Sequence, residues 1–205
     1  MTHLLLTHGA GSNRNAPLLV ALAKVFSENV FSELEVEVTR FDLPFRQARP
    51  HGPPHPADAP LDRAGLRDQI LQIRDQHHPH EVWLGGQSYG GRQASMLAAE
   101  NPGLADRLLL LSYPLHPPGK PAQLRTAHFS NLRTPVLFVH GSRDPFGTLD
   151  ELTHAIALIP APHRLLEVQG GSHDLGRNHA QLAAMIAESF LAFAPGSHGE
   201  SRPAL

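Results

Sequence analysis

The chain has 205 residues, 41% hydrophobic and 18% charged, with 15 His and no Cys. That length suits one ordinary domain with its own core, and 17 basic against 19 acidic side chains leave a formal charge of -2, so nothing draws it generally toward nucleic acid or an anionic membrane. The lack of Cys excludes a disulfide scaffold, a Cys-ligated zinc and a thiol nucleophile.

Residues 4–6 are the only apolar run at the start, with no basic leading segment, so neither a signal peptide nor a spanning helix is expected and the protein is read as cytoplasmic. The 17 Gly and 19 Pro would suggest loops or disorder if they were spread evenly. Ten of those prolines fall in two segments, 44–60 and 114–121, which frees the rest of the chain for regular structure.

Hydrophobic patterning predicts a first strand at 4–7, a Gly-bearing turn, and a helix at 17–28 with Asn15 as its cap and Pro17 in its first turn. A second strand at 34–41 leads into the first Pro-rich loop, and Leu66, Ile70 and Ile73 mark a second helix that closes before Pro79. The third strand, 82–86, runs through a Ser-containing turn into a helix at 89–100. A fourth strand at 107–112 precedes the second Pro-rich loop, a fifth at 135–140 precedes a helix at 149–159, and a sixth lies at 164–168. Leu182, Met185, Ile186 and Phe193 mark the last helix. A domain at 1–194 and a flexible polar tail at 195–205 follow from this pattern.

Strands alternating with helices imply a parallel sheet with helices on both faces, an α/β class. Ligands of such sheets bind where loops leave the carboxyl ends of strands. After the third strand comes Gly86-Gln87-Ser88-Tyr89-Gly90-Gly91, a G-x-S-x-G whose strand-to-helix context suits a strained turn that lifts a serine hydroxyl above the sheet. Alone, such a motif is only suggestive, and Ser88 as a plain helix cap is the ordinary alternative.

A serine nucleophile needs a base and a group to orient that base. Asp144 follows the fifth strand in Ser142-Arg143-Asp144-Pro145, and His173 follows the sixth in Gly170-Gly171-Ser172-His173, so both share an edge with Ser88. Competing readings make Asp144 a turn cap and His173 a loop histidine; Asp174, Asp150 and His140 are weaker candidates, and no carboxylate follows the fourth strand at Ser112-Tyr113. For a developing oxyanion, the backbone N–H of Tyr89 at the helix start is one donor and that of Ala10, with Gly9 or Gly11 as alternatives, is the other. His8 is a brace for that first turn or a packed histidine.

The segments His8-Gly9-Ala10-Gly11, Gly86-Gln87-Ser88-Tyr89-Gly90-Gly91, Gly141-Ser142-Arg143-Asp144-Pro145-Phe146-Gly147 and Gly170-Gly171-Ser172-His173 resemble the α/β-hydrolase superfamily, in particular its small dienelactone-hydrolase-related proteins. Residues 112–126 resemble the testis-expressed hydrolase-like subfamily and its bacterial relatives. The resemblance implies nucleophile Ser88, acid Asp144 and base His173. It also implies a minimal α/β-hydrolase fold, with a six-stranded all-parallel sheet in the order 2-1-3-4-5-6, helices on both faces and no large lid.

The two Pro-rich segments border the same edge and are too short for a lid domain. His8, Gly9, Phe45, Arg46, Tyr113, His116 and Phe146 are candidate pocket residues, with Arg46, Lys120 or Arg143 available to an acidic substrate group. Among the histidines, His77, His78 and His80 form the tightest group and His51 and His55 the second, but Pro79 breaks helical pairing and there is no HExxH, so no metal and no cofactor is expected. The sequence thus points to a serine hydrolase that cleaves small carboxylic esters or lactones through an acyl-enzyme, its partner being a small-molecule acyl substrate. Alternatives are a non-catalytic interaction module on the same fold, or a peptidase or acyltransferase using the same three residues.

Overall fold

The computed structural model describes residues 1–28 and 34–193, so the expected tail at 195–205 lies outside the described residues. Six strands, β1 (Thr2–Thr7), β2 (Val36–Phe41), β3 (Glu81–Gln87), β4 (Arg107–Leu111), β5 (Val136–Gly141) and β6 (His163–Val168), form one sheet in the order β2-β1-β3-β4-β5-β6. Every neighbouring pair is parallel, as expected.

The central strands read as unbroken apolar runs because both of their faces are covered. Period-two geometry then sorts them. Leu5, Val82, Leu84, Leu108, Leu110, Val136 and Phe138 face one core; Leu4, Leu6, Trp83, Leu109, Leu111, Leu137 and Val139 face the other. Helices α1 (Pro17–Ser27) and α6 (His179–Ala192) close the second face through Leu18, Leu22, Phe26, Ile186 and Phe190. The first face is closed by α3 (Ala59–His77), α4 (Tyr89–Glu100) and α5 (Leu149–Ile156), with Leu66, Ile70, Leu97 and Leu152 inward. The short α2 (Pro44–Ala48) precedes α3. No described helix is long and apolar enough to cross a membrane.

Several local expectations need correction. Asn15 does not cap α1: the N-cap is Ala16, without a side-chain bond, and the Asn15 amide oxygen instead accepts from Arg40 Nη1 at 3.1 Å. The strand expected from 34 begins at Val36. The Pro-rich stretch 44–60 is largely ordered turn structure, because Pro44 and Pro60 occupy first-turn positions of α2 and α3, where a missing N–H breaks no intrahelical bond. Between them Pro56–Asp58 makes a 3-10 turn, and α3 starts seven residues before Leu66. Met185, expected on the buried stripe of the last helix, is partly exposed.

Candidate active site

The carboxyl ends of β3, β5 and β6 bring three of the sequence candidates together. Ser88 sits between β3 and α4 with φ 50 and ψ -116, a conformation rarely adopted by a side-chain-bearing residue and costing about 1–3 kcal/mol. The surrounding glycines make the turn possible. A Cβ on Gly86 would lie 2.5 Å from the Gly90 carbonyl carbon and the Gly91 nitrogen, and one on Gly90 would overlap the His8 carbonyl oxygen. Ser88 N–H donates to the Leu111 carbonyl at 2.8 Å, which seats the turn on the end of β4.

Ser88 Oγ lies 2.8 Å from His173 Nε2, and His173 Nδ1 lies 2.8 Å from Asp144 Oδ2. The Asp144 side chain is fully buried and its other oxygen accepts the Phe146 N–H at 2.8 Å. An acceptor-only carboxylate on Nδ1 assigns the proton to that nitrogen, which leaves the Nε2 lone pair for the serine hydroxyl. Phe146 stacks on the His173 ring at 4.1 Å between centroids, so the imidazole is held by a face contact as well as by its edge. The loops carrying Asp144 and His173 are joined by the Arg143 N–H to the Gly171 carbonyl at 2.8 Å.

The weaker candidates point elsewhere. Asp174 accepts from Ser172 Oγ and Gly176 N–H, which hold its carboxyl below the usual range. Asp150 is exposed in the first turn of α5. His140 is fully buried, with Nε2 directed to the Gly147 carbonyl at 2.8 Å and 3.8 Å from Asp144 Oδ2.

The loop after β1 reaches the serine. A Cβ on Gly9 would stand 3.4 Å from Ser88 Cβ, and a turn closes behind it through the Ser12 N–H to the Gly9 carbonyl at 3.1 Å. Tyr89 occupies the first position of α4, where an N–H has no intrahelical acceptor. His8 is buried and bridges, with Nδ1 on the Gly9 carbonyl at 2.8 Å and Nε2 receiving the Leu43 N–H at 3.1 Å. Burial holds its pKa below the ordinary histidine value, which keeps it a neutral brace.

Arg46 is placed as a brace rather than as a receptor for an acidic group. Nε donates to the Ser12 carbonyl, Nη1 to those of Arg49 and Pro50, and Nη2 to those of Ala10 and Gly52, at 2.8 to 3.2 Å. Those bonds occupy all the N–H groups a guanidinium has. Lys120 and Arg143, the other two cations considered, are exposed.

Of the other expected pocket residues, Phe45 and Tyr113 belong to the core. The Tyr113 hydroxyl donates to the Arg125 carbonyl at 2.6 Å, and Phe45 meets the Tyr89 ring edge-on at 5.7 Å. His116 is buried between the Pro117 carbonyl and Glu151. Their apolar or aromatic character suited a rim and a core equally, and the core claimed them. Only Phe146 and Gly9 remain against the proposed reacting atoms.

Asp62 was missed. It is fully buried, accepts the Tyr89 hydroxyl at 2.7 Å and the Phe45 N–H at 2.9 Å, and burial raises its pKa. Its spacing was the available signal, since Asp62, Leu66, Ile70 and Ile73 form one buried stripe of α3 with a carboxylate where an apolar residue is expected. A cleft of about 370 Å³ is lined by Gly11, Ser12, Asn13, Arg46 and residues 50–53.

The same architecture recurs among solved structures. Dienelactone hydrolase from Anabaena variabilis matches with a TM-score of 0.69 and 21% identity over 94% of this chain and 86% of that one. Est1E from Butyrivibrio proteoclasticus, solved with ferulic acid bound, gives 0.74 and 14% over 94% and 89%. A lidless α/β serine hydrolase from Xanthomonas campestris gives 0.69 and 17% over 95% and 84%. At these identities the likeness is one of fold. Sequence similarity to the alpha/beta hydrolase domain family extends over residues 1–191, from β1 into α6, and on that span the chain belongs to the α/β-hydrolase family.

Proposed function

We propose that the protein is a serine hydrolase that cleaves small carboxylic esters or lactones through an acyl-enzyme on Ser88. The observation that carries this reading is the continuous relay from Ser88 Oγ through His173 to buried Asp144, each link 2.8 Å. His173 Nε2 takes the hydroxyl proton as Ser88 Oγ bonds to the substrate carbonyl carbon. The carbonyl oxygen becomes an oxyanion, which rests on the N–H groups of Tyr89 and Ala10. His173 then returns the proton to the leaving alkoxide, the C–O bond breaks, and the alcohol departs or, from a lactone, stays tethered. Water deprotonated by the same nitrogen adds to the acyl carbon, the Ser88 Oγ–C bond breaks, His173 returns the proton to Oγ, and the acid leaves. Asp144 stays ionised throughout and steadies the imidazolium.

Support for a small substrate comes from solved neighbours of the same fold. The neighbours solved with ferulic acid or named for dienelactone hydrolysis fit this class. Within the family we place the chain with the small dienelactone-hydrolase-related proteins, beside the testis-expressed hydrolase-like subfamily that residues 112–126 resemble. Turnover of p-nitrophenyl esters against acyl length tests the reading. Highest kcat/KM is expected for short acyl groups, whereas no turnover across the series, or a maximum at long chains, contradicts it.

A further inference from the structure

At the opposite end of the sheet from Ser88, three side chains converge that the hydrolase chemistry does not use. His3 lies near the start of β1 and pairs in register with Glu37 on β2, so both project from the same face. His77 is the last residue of α3, and the left-handed His78 (φ 45) turns the chain so that His80 N–H meets the Met1 carbonyl at 3.1 Å, docking this corner beside β1. His77 Nδ1 lies 2.9 Å and His3 Nδ1 3.5 Å from Glu37 Oε2, and all three atoms fall within 4.8 Å of one another.

His3 supplies the independent observation. Its side chain is fully buried, its Nε2 is bonded to Thr39 Oγ1 at 2.8 Å, and its Nδ1 has no hydrogen-bond partner. Either ring nitrogen can carry the proton; with it on Nε2, donating to Thr39 Oγ1, Nδ1 is left as a lone pair. The Nδ1 lone pair then faces the Glu37 carboxylate oxygen with nothing donating between them. Two acceptors set this way repel each other, and a cation between them removes the conflict. Thr39 meanwhile fixes the ring from its far side, the arrangement usual behind a ligating histidine.

We propose that His3 Nδ1, Glu37 Oε2 and His77 Nδ1 form a binding site for a late first-row divalent cation, with Zn²⁺ the best match. Two imidazole nitrogens and one carboxylate oxygen suit that class and not Mg²⁺ or Ca²⁺, which take oxygen ligands. Ligands at about 2.0–2.2 Å in a tetrahedron stand about 3.3 Å apart, close to the two separations to Glu37, and an approach of His77 toward His3 from within 4.8 Å completes the set. Binding displaces the proton that His77 shares with Glu37, and solvent fills the remaining position. The ion ties β1, β2 and the end of α3 together, a stabilising role independent of the chemistry at Ser88.

The test uses the full chain without a histidine tag, stripped with chelator, with Zn²⁺ binding followed by calorimetry and Co²⁺ binding by visible absorption. One equivalent per chain is expected, with a rise in Tm on Zn²⁺ addition and a Co²⁺ spectrum of low coordination number. Glu37→Gln and His77→Gln, both at half-exposed positions that leave the fold intact, should each abolish the Tm rise. Thr39→Val should weaken binding about 10- to 100-fold, as loss of a group behind a metal ligand does. His51→Gln and His80→Gln should bind as wild type. Binding by wild type no tighter than by Glu37→Gln and His77→Gln, or equal losses in His51→Gln and His80→Gln, would mean adventitious surface chelation and overturn the proposal.

Discussion

Replacing Asp144 by Asn keeps the shape of the buried acid but presents an amide to His173 Nδ1, so the ring is driven to the tautomer that cannot accept the serine proton. kcat is expected to fall about 10⁴-fold with KM little changed, measured on a short p-nitrophenyl ester. On the proposed mechanism Arg46 acts at one remove, because its guanidinium holds the Ala10 and Ser12 carbonyls. Arg46→Met should free the loop that presents the Ala10 N–H and lower kcat by about 10²-fold, near the value of one oxyanion donor, with KM moving less. Arg46→Lys should restore little of it, since an ammonium cannot span carbonyls that diverge from one planar group. A variant as active as wild type would reduce Arg46 to packing. Ser88, Asp144 and His173 were legible in the sequence because each follows a strand in a Gly-bearing turn. The role of Arg46 was not, for its acceptors come from two separate loops and no local pattern records that convergence.

Among the elements, the turn between β3 and α4 was readable from its glycines, while the order within 44–60 was hidden by composition. Proline density signals loops only where proline falls outside first helical turns, and Pro44 and Pro60 do not. The segment after β4 is tied to α4 by His128, whose Nε2 lies 2.8 Å from buried Ser95 Oγ. Burial first, then the nearby Arg92 and Arg63, lower the pKa of His128 from 6.5 to about 4. Between those values the unfolded chain binds a proton here that the folded chain refuses, so this contribution to stability is complete above about pH 6.5 and is lost as pH falls through about 4. Buried His3 and His8, also lowered, act in the same direction. Urea midpoints should therefore decline from pH 7 to pH 4.5, and His128→Gln should show a shallower decline than wild type. Equal slopes would place the pH dependence elsewhere.

At the scale of the molecule, one parallel sheet separates two kinds of site. Its carboxyl edge gathers Ser88, His173 and Asp144, and its amino edge gathers His3, Glu37 and His77. The parallel sheet with its two-faced core followed from alternating strands and helices with apolar central runs, a global pattern that survives local errors such as the cap of α1 or the start of β2, whereas the strand order came from the resemblance to the α/β-hydrolase superfamily. The amino-edge cluster did not follow, because His77 was grouped with its chain neighbours His78 and His80, whereas the fold pairs it with residues 74 and 40 positions away. The claim on which the functional reading stands is that Ser88 is a nucleophile activated by His173. A fluorophosphonate probe with peptide mapping tests it most directly: the reading predicts one covalent adduct, on Ser88, absent from Ser88→Ala and strongly slowed in His173→Ala. An unlabelled wild type, or labelling that Ser88→Ala retains, would contradict it.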